Sequence, residues 1–161
     1  MRPVQSTPSA RVVLALACML AVVAILGGCG GTEDTPVALT KAQFIKRGDE
    51  ICKAGDKKQE VGYTAYLKKQ GSEQGLSPVQ QQEKVILEVG LPPLKEEAER
   101  LEELGAPKGD EAKVEAILTS FNKAVEESEK DPSRMIDRVE GPFVKVEKLS
   151  RSYGFKYCGQ I

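Results

Sequence analysis

The stretch that decides the fold is DEAKVEAILTSFNKAV, residues 110–125. Its apolar residues Val114, Ile117, Leu118, Phe121 and Val125 recur at intervals of three and four, which places them on one face of an α-helix. Asp110 stands where an N-cap is needed, and Asp131-Pro132-Ser133 punctuates the far end. The same grammar extends in both directions. Upstream, Leu94, Ala98, Leu101 and Leu104 share one face of a helix that ends at Gly105-Ala106-Pro107-Lys108-Gly109. Downstream, Met135, Ile136, Val139, Phe143, Val146 and Leu149 predict a last helical stretch, kinked at Gly141-Pro142 and closed by Gly154 as a left-handed C-cap. Phe155-Lys156-Tyr157-Cys158 alternates like a short extended tail.

Two capping boxes open the earlier helices. Thr40 and Gln43 begin one that runs to about Lys69, followed by a turn at Gln70–Gly75. Ser77, Pro78 and Gln80 begin another that runs to about Val89, where Gly90 and Pro92-Pro93 break or kink it. Strand signals are scarce. The expected fold is all-α: an antiparallel bundle of about four helices spanning residues 40–161.

Gly48, Gly55 and Gly62 recur every seven residues along the first helix, and each lowers helix propensity by about 1 kcal/mol relative to alanine. Close approach of a neighbouring helix is the leading explanation. Chance and a ligand groove are the alternatives. For a groove, Tyr63 and Tyr66 are candidate lining residues, with Phe44, Ile51, Phe121 and Phe143 as apolar candidates between helices.

Residues 1–28 have a different character. They hold Arg2 and Arg11, no acid, and an apolar run from Val12 to Leu26, too short for the roughly 20 residues that span a bilayer. Leu26-Gly27-Gly28-Cys29 follows and resembles a lipobox, in which small residues let a peptidase grip the backbone before a lipidated cysteine. The expectation is a signal peptide over 1–28, diacylglycerol on Cys29, and a flexible tether over 29–39. The alternative is an uncleaved span with an incidental cysteine. Cys18 falls within the signal. Cys52 and Cys158 remain, and in an oxidising compartment an even pair reads as a disulfide between the first helix and the C-terminal end. A redox-active or metal-binding thiol pair is the other reading; neither cysteine has CxxC spacing or clustered carboxylates beside it.

Composition narrows the chemistry. All 24 acids and 21 of the 23 bases follow position 28, so the mature part carries a formal −3. That balance gives no electrostatic case for nucleic acid. The chain has no His, which removes imidazole as base, nucleophile or metal ligand. Neither a phosphate-cradling glycine loop nor a Gly-x-Ser-x-Gly elbow occurs. Ser120 and Lys123 have Ser-x-x-Lys spacing without partner motifs. Glu96, Glu97, Glu99, Glu102 and Glu103 form an acidic run, read as a solvated face paired with Lys95 and Arg100 rather than as a carboxylate site for catalysis or calcium.

Residues Lys41–Cys52 (KAQFIKRGDEIC) and Tyr153–Gly159 (YGFKYCG) resemble a group of small lipoproteins from high-GC Gram-positive bacteria. In that group a helix ends in Ile-Cys and a Gly-Phe-Lys-x-Cys-Gly closes the domain. The resemblance implies the disulfide and the compartment, and no substrate. The expected function is a membrane-anchored, extracytoplasmic, non-enzymatic binding or scaffold module of the cell envelope. It would be held to the membrane by its lipid, contact an envelope protein or small ligand, and require no cofactor or metal. The second reading is a lipoprotein that binds a small ligand or lipid between helices. An enzyme using carboxylate or serine chemistry is the third.

Overall fold

The computed structural model describes residues 38–69 and 75–160. The signal, Cys29 and most of the tether lie outside them. Every regular element among the described residues is helical: α1 (Lys41–Lys69), α2 (Pro78–Val85), α3 (Leu91–Glu103), α4 (Glu111–Lys130) and α5 (Val144–Tyr153). No helix among the described residues is long and apolar enough to cross a membrane.

Both capping boxes form. The Thr40 amide donates to Gln43 Oε1 at 2.9 Å, and the Gln43 amide donates to Thr40 Oγ1 at 3.3 Å. At α2, the Ser77 amide donates to Gln80 Oε1 at 2.9 Å and Ser77 Oγ accepts from the Gln80 amide at 3.3 Å, with Pro78 at the first helical position. Each box satisfies donors that a helix start otherwise leaves open.

Of the break or kink expected at Gly90 and Pro92-Pro93, the break does not occur. A π turn over Ile86–Gly90 carries the chain from α2 directly into α3, and the Leu91 amide reaches back to the Ile86 carbonyl. A single wider turn admits residues that cannot donate into an α ladder, so the rod bulges instead of stopping. The Gly90 carbonyl accepts from the Gln59 side chain of α1 at 3.3 Å.

The expected helix across Met135–Phe143 is also corrected. Pro132–Ile136 is a 3₁₀ turn, and α5 starts only at Val144. Asp137 explains the interruption: its Oδ1 accepts from the Val139 and Glu140 amides at 2.9 and 3.0 Å, a local alternative to helical bonding, and Pro142 removes a further donor. Ile136 and Val139, expected in the core, are therefore exposed, Val139 at 78%.

Side-chain pairings set the helix directions. Gly48, Gly55 and Gly62 of α1 meet Leu101, Glu97 and Val89 in descending order, so α1 runs antiparallel to the α2–α3 rod. In α4 and α5, Asp110 meets Tyr153 and Phe121 meets Phe143, again antiparallel. The interior forms two apolar clusters. One surrounds Phe44, Leu101, Ile117, Tyr153 and Phe155; the other surrounds Leu91, Leu94, Phe121, Phe143 and Val146. Phe121 and Phe143 pack edge to face with centroids 5.7 Å apart, and Phe44 and Tyr153 do so at 6.0 Å.

α5 ends as its glycine predicts. Gly154 has φ of +122°, and the Phe155 amide returns to the Ser150 carbonyl at 3.0 Å. The tail is then folded back in bends, not extended. Asp49 of α1 holds it there: Oδ1 accepts from the Lys156 and Tyr157 amides at 2.9 and 3.0 Å. Cys158 thereby meets Cys52, and the two form a disulfide with Cα atoms 5.1 Å apart.

Candidate functional site

Three places carry polar chemistry against an ordered background: the stapled tail, the seam between α1 and α3, and a groove between α4 and α5.

The staple is buried. Cys52 and Cys158 are each 1% exposed and sit within the Phe44 cluster. No described residues form a group of three or more cysteines or carboxylates able to hold a metal ion. Lys53 lies 4.0 Å over the Tyr157 ring and adds a cation–π contact beside the bridge.

The acidic run is solvated at Glu99, Glu102 and Glu103, and the seam corrects that reading at Glu97 alone. Glu97 is 4% exposed, on the same face of α3 as Leu94, Ala98 and Leu101. Its carboxyl enters the space left by Gly55, and a Cβ built on Gly55 would overlap it. Oε1 is buried without a hydrogen-bond partner. Burial, with the charges of Asp56 and Glu96 adding to it, pushes the Glu97 pKa up to about 8. Asp56 is likewise raised by burial. At the solvent edge Glu96 pairs with Lys58 and Arg100, and the hydrogen bond from Lys58 holds its pKa below the usual carboxylate range. Ile51, Gly55 and Pro93 pack around Glu97 and leave no cavity between the two helices. The seam therefore acts as a helix contact, with a neutral acid at its centre near pH 7. Glu97 stands three residues after Leu94 and four before Leu101, on the apolar face of α3, but only the packing of α1 through Gly55 buries it.

The groove opens where α1 begins. Lys41, Ala112, Lys113, Ala116, Ile117, Leu149 and Tyr153 line an open volume of about 410 Å³. A second depression of about 300 Å³ shares Ala112 and Ala116 and continues toward Lys123 and Lys145. Lys41 lies 4.4 Å over the Tyr153 ring. The Tyr153 hydroxyl donates to Asp110 Oδ2 at 3.2 Å; burial, with that hydrogen bond and charge, pushes its pKa up to about 12. Asp110 Oδ1 accepts from Lys113 at 2.7 Å, which holds the Asp110 carboxyl below its ordinary range. Asp110 therefore does not cap α4 with its side chain, as its position predicts, but ties α4 to α5. Just before the helix, Glu111 Oε2 accepts from the Gly109 amide at 2.8 Å.

The candidate ligand residues do not converge. Phe44 and Phe121 are buried in different clusters, and Ile51 and Phe143 are divided between the same two. Tyr66 is buried near the Gln81 carbonyl, whereas Tyr63 is half exposed beside a shallow hollow with Val85 and Val89. The glycine stripe is helix contact throughout. Ser120 is buried in α4 and Lys123 pairs with Glu127 at 3.7 Å. Residues of the α4–α5 groove were not legible as a set, because they come from three helices and mix cationic with small apolar side chains.

Comparison with known protein families, with curated proteins and with solved structures gives no match.

Proposed function

We propose that this chain is an extracytoplasmic lipoprotein. Cys29 carries diacylglycerol, and the helical domain acts as a non-enzymatic binding or scaffold module on the outer face of the cytoplasmic membrane. The Cys52–Cys158 disulfide carries the reading. Such a bond persists in an oxidising space and is rare in the cytosol. Together with Leu26-Gly27-Gly28-Cys29 at the end of an apolar run, it fits export followed by lipid attachment. The likeness of both ends of the domain to small lipoproteins of high-GC Gram-positive bacteria agrees with it.

The test is the intact mass of protein from its native host. The expected mass lacks residues 1–28 and includes acyl chains, and Cys29→Ser should move the protein out of the membrane fraction. Retention of residues 1–28 without added lipid would overturn the proposal.

A specific observation favours ligand binding as the form this module takes. The α4–α5 groove, at about 410 Å³, falls within the range of ligand pockets and combines an apolar floor with cationic edges.

A further inference from the structure

The groove lies at the tethered end of the domain. Its first lining residue, Lys41, is also the first residue of α1. Eleven residues separate Lys41 from Cys29, so the backbone between them reaches at most about 40 Å when extended. With Cys29 in a bilayer, this end of the domain has the shortest path along the chain to the lipid surface.

The chemistry of the groove matches that location. Its floor is Ala112, Ala116, Ile117 and Leu149, and Asp110 beside it is engaged by Lys113 and the Tyr153 hydroxyl. Lys41 and Lys113 stand at that volume, and Lys123 and Lys145 continue the cationic edge beyond Ala116, with Glu115 the one acid between them. Lys145 enters no ion pair among the described residues. A bilayer with anionic headgroups attracts lysines placed near its surface. An apolar floor shields acyl methylenes from water, and each buried methylene adds favourable transfer free energy.

The geometry points to an anionic phospholipid of the tethering membrane as the occupant of the α4–α5 groove. Its phosphate lies at the cationic edge that carries Lys41, and part of one acyl chain lies over Ala116, Ile117 and Leu149. This deepens the ligand-binding reading and rests on lipid attachment at Cys29.

The experiment uses lipidated protein purified from its native host and placed in two kinds of vesicle. One is phosphatidylcholine alone; the other is phosphatidylcholine mixed with phosphatidylglycerol. Each contains a trace of the corresponding lipid with a photoreactive group on its acyl chain. Crosslinks mapped by mass spectrometry should concentrate in peptides covering 112–117 and 149–153, and only with phosphatidylglycerol. The double variant Lys41→Ala, Lys145→Ala should lower that yield about thirtyfold, with its helical circular dichroism unchanged. Equal labelling from both lipids, labelling spread evenly over the surface, or yield unaffected by the double variant would overturn the site. Competition by soluble glycerol phosphate as strong as by phosphatidylglycerol vesicles would also overturn it, by making the occupant a free anion. The intact mass of the same preparation reports separately on Cys29, so absence of acyl chains is distinguishable from failure of the groove.

Discussion

Gly55 of α1 and Glu97 of α3 fill one position between them: the Glu97 Cγ lies 2.8 Å from where a Gly55 Cβ would stand, and its carboxyl is closer still. The close approach of the two helices depends on a missing side chain on one and an acid on the other. Glycine weakens an isolated helix by about 1 kcal/mol relative to alanine, so the contact must outweigh that term.

Gly55→Ala should accordingly destabilise the domain, although alanine is the better helix former. Overpacking of this kind costs about 1–3 kcal/mol, against about 1 kcal/mol gained in propensity. A net loss of up to about 2 kcal/mol is expected in urea unfolding. Pairing it with Glu97→Ala should show strong coupling, because the truncated side chain no longer meets the new methyl. Two additive effects would disprove the shared position.

The same carboxyl sets a pH dependence. In the fold Glu97 is pushed up to about 8, against an ordinary value of 4.5. The native state therefore binds the proton more tightly than the unfolded chain. The associated stability is fully present below pH 4.5 and is lost as pH rises toward and through 8. The span corresponds to a few kcal/mol, on the order of what linkage allows for one buried group. Denaturant midpoints followed from pH 5 to 9 should fall, and Glu97→Gln should remove most of that slope. A wild-type slope retained by the glutamine variant would assign the titration elsewhere.

The disulfide closes a sequence separation of 106 residues. In the chain-entropy model such a crosslink contributes roughly 4–5 kcal/mol by restricting the unfolded ensemble. Reduction, or the double change Cys52→Ala and Cys158→Ala, should lower the unfolding midpoint accordingly. Native, non-reduced protein should yield one linked peptide containing both cysteines. Free thiols at both positions would contradict the staple.

Asp49 clasps the tail through two backbone amides, at 2.9 and 3.0 Å. Asp49→Ala leaves both donors without their charged acceptor and should lower stability by about 1–3 kcal/mol. Asp49→Asn, which keeps an acceptor oxygen, should recover part of it. Hydrogen exchange at Lys156 and Tyr157 should quicken in the alanine variant and remain slow in wild type.

The sequence by itself determined what depends on near neighbours in the chain. The spacing of Val114, Ile117, Phe121 and Val125 gives a buried helical face, and these four residues are in the core. Thr40 with Gln43, and Ser77 with Gln80, close their capping boxes because donor and acceptor lie three residues apart. Cysteine counting leaves one pair to join, and that pair is joined. Tertiary structure decided the rest, because desolvation and close approach depend on where another segment lies. Glu97 carries the same composition signal as the exposed Glu99, yet α1 covers one and water the other. Pro92 and Pro93 stop an α ladder locally, but packing against α1 and a π turn carried the rod through them. Ile136 and Val139 fit a helical period that Asp137 interrupted with its own side chain. The α4–α5 groove has no counterpart in any local pattern, since it exists only where three helices, distant in the chain, bring lysines and small apolar residues together.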